Sequence, residues 1–214
     1  ADLERAASVG VASRFLNCGQ SCIAAKRFIL VESIAESFIE LFRHKVHSLR
    51  LGDPAQEDTG LGPMARADLR DQLHRQVADS VTAGATFALH GGPAAGPGFF
   101  YEPTIIDHVG PGMRAYEEEL FGPVAIMIRA RDEEAAMRIA NDNRYGLGGS
   151  LWTRDVKKGE RLARRLQSGA SFVNGLVKSD PRLPFGGIKA SGYGRELSVH
   201  GIREFVNVKT VWIK

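Results

Sequence analysis

The residue with the clearest chemical potential is Cys22. It lies in a polar turn, Asn17–Ser21, between an apolar helical pattern and the apolar run Arg27–Val31 (RFILV). A thiol in such a turn is partly exposed and close to backbone N–H groups, which favour a thiolate and stabilise a developing anion. An ordinary free thiol is only about 3% ionised at neutral pH, so a nucleophilic role requires activation by its surroundings. On residue type alone a buried structural thiol is the commoner role for Cys22, and more so for Cys18 four residues earlier. Two further segments concentrate unusual residue types. Glu117–Val124 (EEELFGPV) sets three carboxylates beside Phe121 and a Gly-Pro turn, and Pro184–Glu196 (PFGGIKASGYGRE) holds four glycines flanked by Phe185, Lys189 and Arg195. Glycines at that density imply positive φ angles or close backbone approach, as occurs at sites and subunit contacts.

Other patterns are weaker. Gly60, Gly62 and Ala65 satisfy G-x-G-x-x-G/A as a string, but the preceding DPAQEDT is no strand, so the setting of a pyrophosphate cradle is missing. His44 and His47 share a helix face without a third ligand nearby, which reads as a solvated face; no metal is expected. Two cysteines exclude a disulfide scaffold, and no spacing suggests structural zinc.

The elements that must position these residues alternate along the chain. A helix runs to about Phe15 with Leu3, Ala6, Ala7, Gly10 and Val11 on one face, followed by the turn and the strand Arg27–Val31. Ser33 and Glu36 have capping-box spacing ahead of a helix carrying Ile34, Phe38, Leu41, Phe42 and Leu49. A second amphipathic helix spans about Arg66–Ala83 and stops at Gly84. Thr86–Leu89 reads as a strand and Gly91–Gly98 as a loop. Val124–Ala130 (VAIMIRA) has the continuous apolar character of a central parallel strand. Asp132 caps a helix to about Ala140, Gly149–Trp152 is a strand, Asp155 caps a helix to about Leu166, and Ser171–Val173 is a further strand. This order predicts right-handed βαβ units and an α/β fold with a mostly parallel sheet and flanking helices. Phe205–Ile213 alternates as a final strand that has nothing after it, and is expected to pair with a neighbouring subunit.

The chain has 214 residues, 43% hydrophobic and 25% charged, with a formal net charge of +3. These values describe an ordinary globular protein large enough for one ample domain. Basic residues concentrate only between Lys157 and Arg165, without interleaved aromatics, so no nucleic-acid partner is expected. No apolar run reaches the ~20 residues of a membrane span, and the expected location is cytoplasmic. Ala1 is not an initiator methionine, which gives the expectation of a chain processed or cut from something longer.

Taken together, FLNCGQSCIAAKR, EEELFGPVAIM and PFGGIKASGYGRE occur in the order and rough spacing of the aldehyde dehydrogenase superfamily, which the chain resembles over essentially its whole length. LGDP…GLGPM, EPTII and NDNRYGLGGSLWT are further landmarks. FVNGLVKSDPRLPFGG and RELSVHGIREFVNVKTVW are most similar to bacterial succinate-semialdehyde dehydrogenases. The resemblance implies that Cys22 is the nucleophile, attacking an aldehyde to give a thiohemiacetal and then a thioester. It implies that Glu119 and Phe121 contact the nicotinamide end of NAD or NADP and that Phe185 walls the substrate mouth. Asn174 takes a supporting role there, and Arg182 and Lys178 are the cations nearest that mouth for a distal carboxylate.

The resemblance also has departures. Family members carry their dinucleotide-binding domain, an asparagine oxyanion donor and a general-base glutamate ahead of the cysteine motif, and these do not occur in this sequence. Residues 1–204 therefore read as the catalytic domain and 205–214 as a C-terminal oligomerisation strand, without the N-terminal NAD(P)-binding domain. The expectation is weak cofactor binding and negligible turnover by this chain alone, with residual esterase chemistry at Cys22 or a stand-alone assembly role as the alternatives. Some succinate-semialdehyde enzymes place an arginine six residues before the nucleophile; Leu16 stands there here. Ala24 occupies the place of the second cysteine of a CxC pair.

Overall fold

The computed structural model describes residues 1–214. Helix α1 (Leu3–Phe15) is capped by Asp2, whose carboxylate accepts the Arg5 N–H at 3.1 Å. A short 3-10 turn, Leu16–Gly19, leads through the Cys22 turn into strand β1 (Arg27–Val31) and helix α2 (Glu32–His47). Helix α3 (Ala67–Thr82) is followed by strands β2 (Thr86–Leu89) and β3 (Thr104–Asp107), the single-turn helix α4 (Arg114–Glu117) and strand β4 (Val124–Ala130). These strands form one sheet in the order β1-β4-β3-β2, with β4 parallel to both neighbours and β2 antiparallel at the edge. Every residue of β4 except Arg129 is buried, as the apolar run requires.

Helices α1 and α2 cover one side of the sheet through an aromatic cluster. Phe42 packs edge-on against Phe28 at 4.8 Å between ring centres, with Phe38 and Phe15 beside it at 5.7 and 6.4 Å. Such pairs contribute about 0.5–1.5 kcal/mol beyond the area they bury.

The chain continues through α5 (Glu133–Asn141), β5 (Tyr145–Gly146), β6 (Gly148–Leu151), α6 (Val156–Ala163), β7 (Ala170–Val173), β8 (Ile188–Lys189) and α7 (Ser198–Arg203). Strands β6 and β7 pair in parallel across α6, the expected βαβ unit. They form a sheet of their own, however, and do not extend the sheet of β4. Strand β5 pairs with β8, so the chain is diverted before β6 begins. Asp132 and Asp155 cap α5 and α6 as predicted, accepting from Ala135 N at 2.7 Å and Lys158 N at 2.9 Å.

Three expectations are corrected. The capping box at Ser33 does not form, because β1 runs directly into α2 and Ser33 falls inside its first turn. Glu32 and Glu36 instead reach Arg129 of β4 at 3.0 and 2.6 Å, and Asp107 of β3 binds the same guanidinium at 2.6 Å. This cluster fixes α2 over the sheet. Secondly, β3 and α4 stand where the sequence pattern marks no element. Thirdly, Phe205–Ile213 forms no strand in the single chain: a strand needs a ladder partner, and here Phe205, Val208, Trp212 and Ile213 are 84–93% exposed. No helix is long and apolar enough to cross a membrane.

Candidate active site

Three consecutive residues shape the cysteine turn. Asn17, Cys18 and Gly19 adopt φ of 50°, 56° and 70°. Asparagine tolerates this left-handed backbone because its amide closes locally: Asn17 Nδ2 donates to the Gln20 carbonyl at 3.1 Å. The turn sends the two thiols in opposite directions. Cys18 points into the core, where burial pushes its thiol up to about 12. Cys22 is exposed. Gln20 joins the turn to the Gly60–Ala65 loop, its Oε1 accepting from Ala65 N at 2.8 Å. That loop follows no strand, so the G-x-G-x-x-A string has no dinucleotide-binding geometry.

Gly19 lies flush against the backbone of Gly122. A Cβ at position 19 would lie 2.5 Å from the Gly122 carbonyl carbon and from Arg14 Nη2. The bare backbone at Gly19 therefore sets the distance between the cysteine turn and the EEELFGPV segment, whereas a Cβ at Gly122 would meet the side chains of Leu73 and Met64. Arg14 is fully buried beneath this junction and donates from Nη2 to the Gly19 carbonyl at 2.6 Å. Burial lowers its guanidinium to about 10 against the opposing pull of Glu119 and Cys18, and its Nε and Nη1 have no partner.

The three carboxylates take three separate tasks. Glu117 accepts from Gly112 N at 3.1 Å. Glu118 accepts two bonds from Arg114, at 2.8 and 2.9 Å, and one from Gln76 at 2.8 Å, which hold it well below the usual carboxylate range. Only Glu119 turns to the cysteine turn, through an ion pair with Lys26 at 3.0 Å. Phe121 lies on the same side, its face 5.7 Å from Lys26 Nζ and the residue 39% exposed. Lys26 is the participant that sequence reasoning missed. Its Nζ also donates to the carbonyls of Ser21 (3.1 Å), Ala24 (3.2 Å) and Cys22 (3.4 Å). The one signal for it in the sequence is a lysine four residues after the cysteine and directly before β1.

The remaining predicted residues lie on the connection from β7 to β8 and beyond. Asn174, at φ 55°, clamps Thr153 with both ends of its amide: Oδ1 accepts from Thr153 N at 2.9 Å and Nδ2 donates to Thr153 O at 2.8 Å. Its carbonyl accepts from Arg5 of α1 at 3.4 Å. That amide is occupied in holding the chain. Arg182 is exposed and gives Asp180 a two-pronged pair at 2.9 and 2.6 Å, with Arg182 N adding a third bond. These bonds, with a contribution from the Lys178 charge, hold the Asp180 carboxyl down at about 2. Lys178 is exposed. Phe185 is half-buried and exchanges backbone hydrogen bonds with Glu196 at 2.9 and 2.8 Å. No hydrogen bond or ion pair links these four residues to the Cys22 turn.

Elsewhere, His44 and His47 are exposed on α2, and no three potential ligands cluster as a metal site. The basic run on α6 is a solvated face with its charges partly paired: Lys158 with Glu133, Arg164 with Glu160 and Arg165 with Glu134. The arrangement around Cys22 is thus an exposed thiol on a rigid turn, backed by an ammonium and flanked by one carboxylate and one open aromatic face. Such a thiol can attack an electrophilic carbon, with its own backbone N–H available to a developing oxyanion.

Residues 1–211 match the Aldehyde dehydrogenase family. A succinate-semialdehyde dehydrogenase [NADP(+)] of Mycobacterium ulcerans is 48% identical over 213 residues, and the succinate semialdehyde dehydrogenase [NAD(P)+] Sad of Escherichia coli is 49% identical over 212. The chain spans only 46% of either relative, although essentially all of it is matched. Among solved structures, succinic semialdehyde dehydrogenase from Streptococcus pyogenes with NADP+ superposes at a TM-score of 0.95. It is 37% identical, and the match covers 100% of this chain and 47% of that one.

Proposed function

The chain belongs to the aldehyde dehydrogenase family, and from that premise we propose that it supplies the nucleophile-bearing part of an enzyme oxidising an aldehyde to its acid. Succinate semialdehyde is the substrate favoured by the names of its relatives. The observation that carries this reading is the exposure of Cys22 on a turn held by Lys26, with Glu119 and Phe121 gathered around the same ammonium.

In this reading the Cys22 thiolate forms a C–S bond to the aldehyde carbon, and the oxyanion is met by the Cys22 N–H. Glu119 and Phe121 would hold the nicotinamide end of NAD or NADP, which would supply the hydride acceptor when bound. The thioester is then hydrolysed by water, which releases the acid and frees Cys22. The residues present fit the nicotinamide end of such a cofactor: Glu119 has an acceptor oxygen for a ribose hydroxyl, and Phe121 offers an open ring face. The Gly60–Ala65 string lies in a loop that follows no strand and is not assigned to the adenosine end. The base and the second oxyanion donor are assigned to the part of the relatives' length that this chain does not span, and the chain alone is expected to turn over negligibly. Phe185 is assigned to the substrate mouth, Asn174 to its support, and Lys178 and Arg182 to the distal carboxylate.

The exposed row at 205–214 favours assembly with a second copy of the chain, which would give that segment a ladder partner. Residues 1–204 are the catalytic unit in this view.

The test is Cys22→Ala in the intact protein. NAD(P)H production from succinate semialdehyde should fall by at least about 10³-fold with an unchanged melting temperature. Wild-type production by this variant would remove Cys22 from the chemistry.

A further inference from the structure

Lys26 places a charge at the junction of the cysteine turn and the EEELFGPV segment. Its backbone is fixed to the sheet, the Lys26 carbonyl accepting from Ile126 N at 3.3 Å. Its ammonium is largely buried, with 17% of the side chain exposed. Three donors are shared among four acceptors: the carbonyls of Ser21, Cys22 and Ala24, and Glu119 Oε1. Three of these define the turn that carries the thiol. The fourth is the carboxylate on the segment that crosses above it. An ammonium has no preferred plane, so it serves such a radial set of oxygens, whereas a guanidinium fork serves a planar pair. Lys26 is also the ion-pair partner of Glu119, whose side chain is otherwise 39% exposed.

We infer that Lys26 is a positioning residue that couples the Cys22 turn to Glu119 and Phe121, so that the reactivity of the thiol and the placement of the cofactor-facing carboxylate are set by one ammonium. The inference rests on the reading of Cys22 as nucleophile and Glu119 as a cofactor contact, and it deepens that reading. Burial of Lys26 and the nearby Arg14 charge both lower its proton affinity, while Glu119 opposes them. The pairing with Glu119 is therefore part of what keeps Lys26 charged. If Glu119 moves, the ammonium holding the thiol's turn loses its counter-charge, and if Lys26 is neutral, the Glu119 side chain loses its ion-pair partner.

The experiment is the rate of Cys22 alkylation by iodoacetamide at fixed neutral pH in the intact protein. The modified residue is located by peptide mass spectrometry, and the rate needs neither cofactor nor turnover. Four variants are compared with wild type: Lys26→Met, Lys26→Arg, Glu119→Gln and the Lys26→Met/Glu119→Gln double. Loss of the ammonium removes the common donor of the three carbonyls that hold the turn carrying the thiol, so Lys26→Met should slow alkylation about tenfold. Lys26→Arg keeps the charge and should recover the rate to within about threefold. Glu119→Gln should change the rate at least about threefold when Lys26 is present and by less than about 1.5-fold in the Lys26→Met background, because a carboxylate freed from Lys26 turns to solvent. Equal Glu119→Gln effects in both backgrounds, or a Lys26→Met rate within about twofold of wild type, would overturn the coupling. If Lys26→Met does not fold, Glu119→Gln and Lys26→Arg decide: a Glu119→Gln rate within about 1.5-fold of wild type overturns it. Retention of dehydrogenase activity by Cys22→Ala would sink the parent reading and leave these alkylation rates, and the coupling they report, intact.

Discussion

Replacing Gly19 with alanine should damage the site more than the same change at Gly112, and the structure gives the size of the effect. The backbone at Gly19 has φ of 70°, and holding an alanine there costs about 1–2 kcal/mol. The added Cβ would also lie 2.5 Å from the Gly122 carbonyl carbon and from Arg14 Nη2, so the turn and the 122 segment must separate by about 1 Å to reach ordinary contact distance. That separation strains the Arg14–Gly19 bond, which at 2.6 Å in a buried setting contributes about 1.5–3 kcal/mol as a hydrogen bond to a charged group. The two effects sum to about 2.5–5 kcal/mol, or a melting temperature lower by about 10 °C for a chain of this size. Gly112 is the control. Its φ is 84°, yet nothing lies within 4 Å of the point a Cβ would occupy, so Gly112→Ala carries the backbone cost alone, about 1–2 kcal/mol. Thermal melting of the two variants in parallel separates close approach from strain. Cys22 alkylation should slow in the Gly19 variant and stay unchanged in the Gly112 variant. Equal melting temperatures for the two, with equal Cys22 reactivity, would refute the claim that the bare backbone at Gly19 sets the turn.

Two further outcomes follow from the charged loop and the tail. Asp180 is held at about 2 mainly by Arg182, so Arg182→Gln should move its carboxyl midpoint upward toward the ordinary value of about 3.9, read by NMR titration. Because the native value is depressed, the pair's contribution to stability is present above the unfolded value and is lost as pH falls toward 2; a midpoint unmoved in Arg182→Gln would show that other groups hold Asp180. Removing residues 205–214 should lower the assembly mass seen by light scattering, and an identical mass with and without them would exclude this segment from assembly.

How much of this was legible in the sequence depended on the range of the interaction. The helix caps at Asp132 and Asp155 were legible because each carboxylate meets an N–H three residues ahead. Strand β4 was legible because burial on both faces leaves a continuous apolar run. Ser33 misled because the matching local pattern was overridden by Arg129, a partner on a distant strand. Strand β3 escaped notice because four residues after Pro103 carry little period of their own, and its identity comes from pairing with β4. At the site, the types of Cys22, Glu119 and Phe121 were readable, whereas Lys26 was not. Its role exists only through Glu119, far along the chain, and through carbonyls that belong to a turn rather than to any residue type. The terminal alternation was equally readable, but it specifies half of a ladder.

The selection of one carboxylate out of three follows from alternation rather than from any special property of Glu119. The chain leaves α4 in extended conformation at Glu118, with φ −105° and ψ 164°. In an extended segment successive side chains point to opposite faces. Leu120 is 2% exposed and anchors one face in the core, which puts Glu119 and Phe121 together on the other. Glu118, at the same parity as Leu120, is drawn back to α3 by Gln76 and to α4 by Arg114. The pair that meets Lys26 is therefore fixed by a buried leucine between them, and the run ends at Gly122, against whose carbonyl the bare Gly19 backbone closes. An insertion of one residue between Glu119 and Leu120 would keep every residue type of the motif and turn Glu119 away from Lys26. Spacing around Leu120, more than the number of acidic residues, is what makes this segment part of a site.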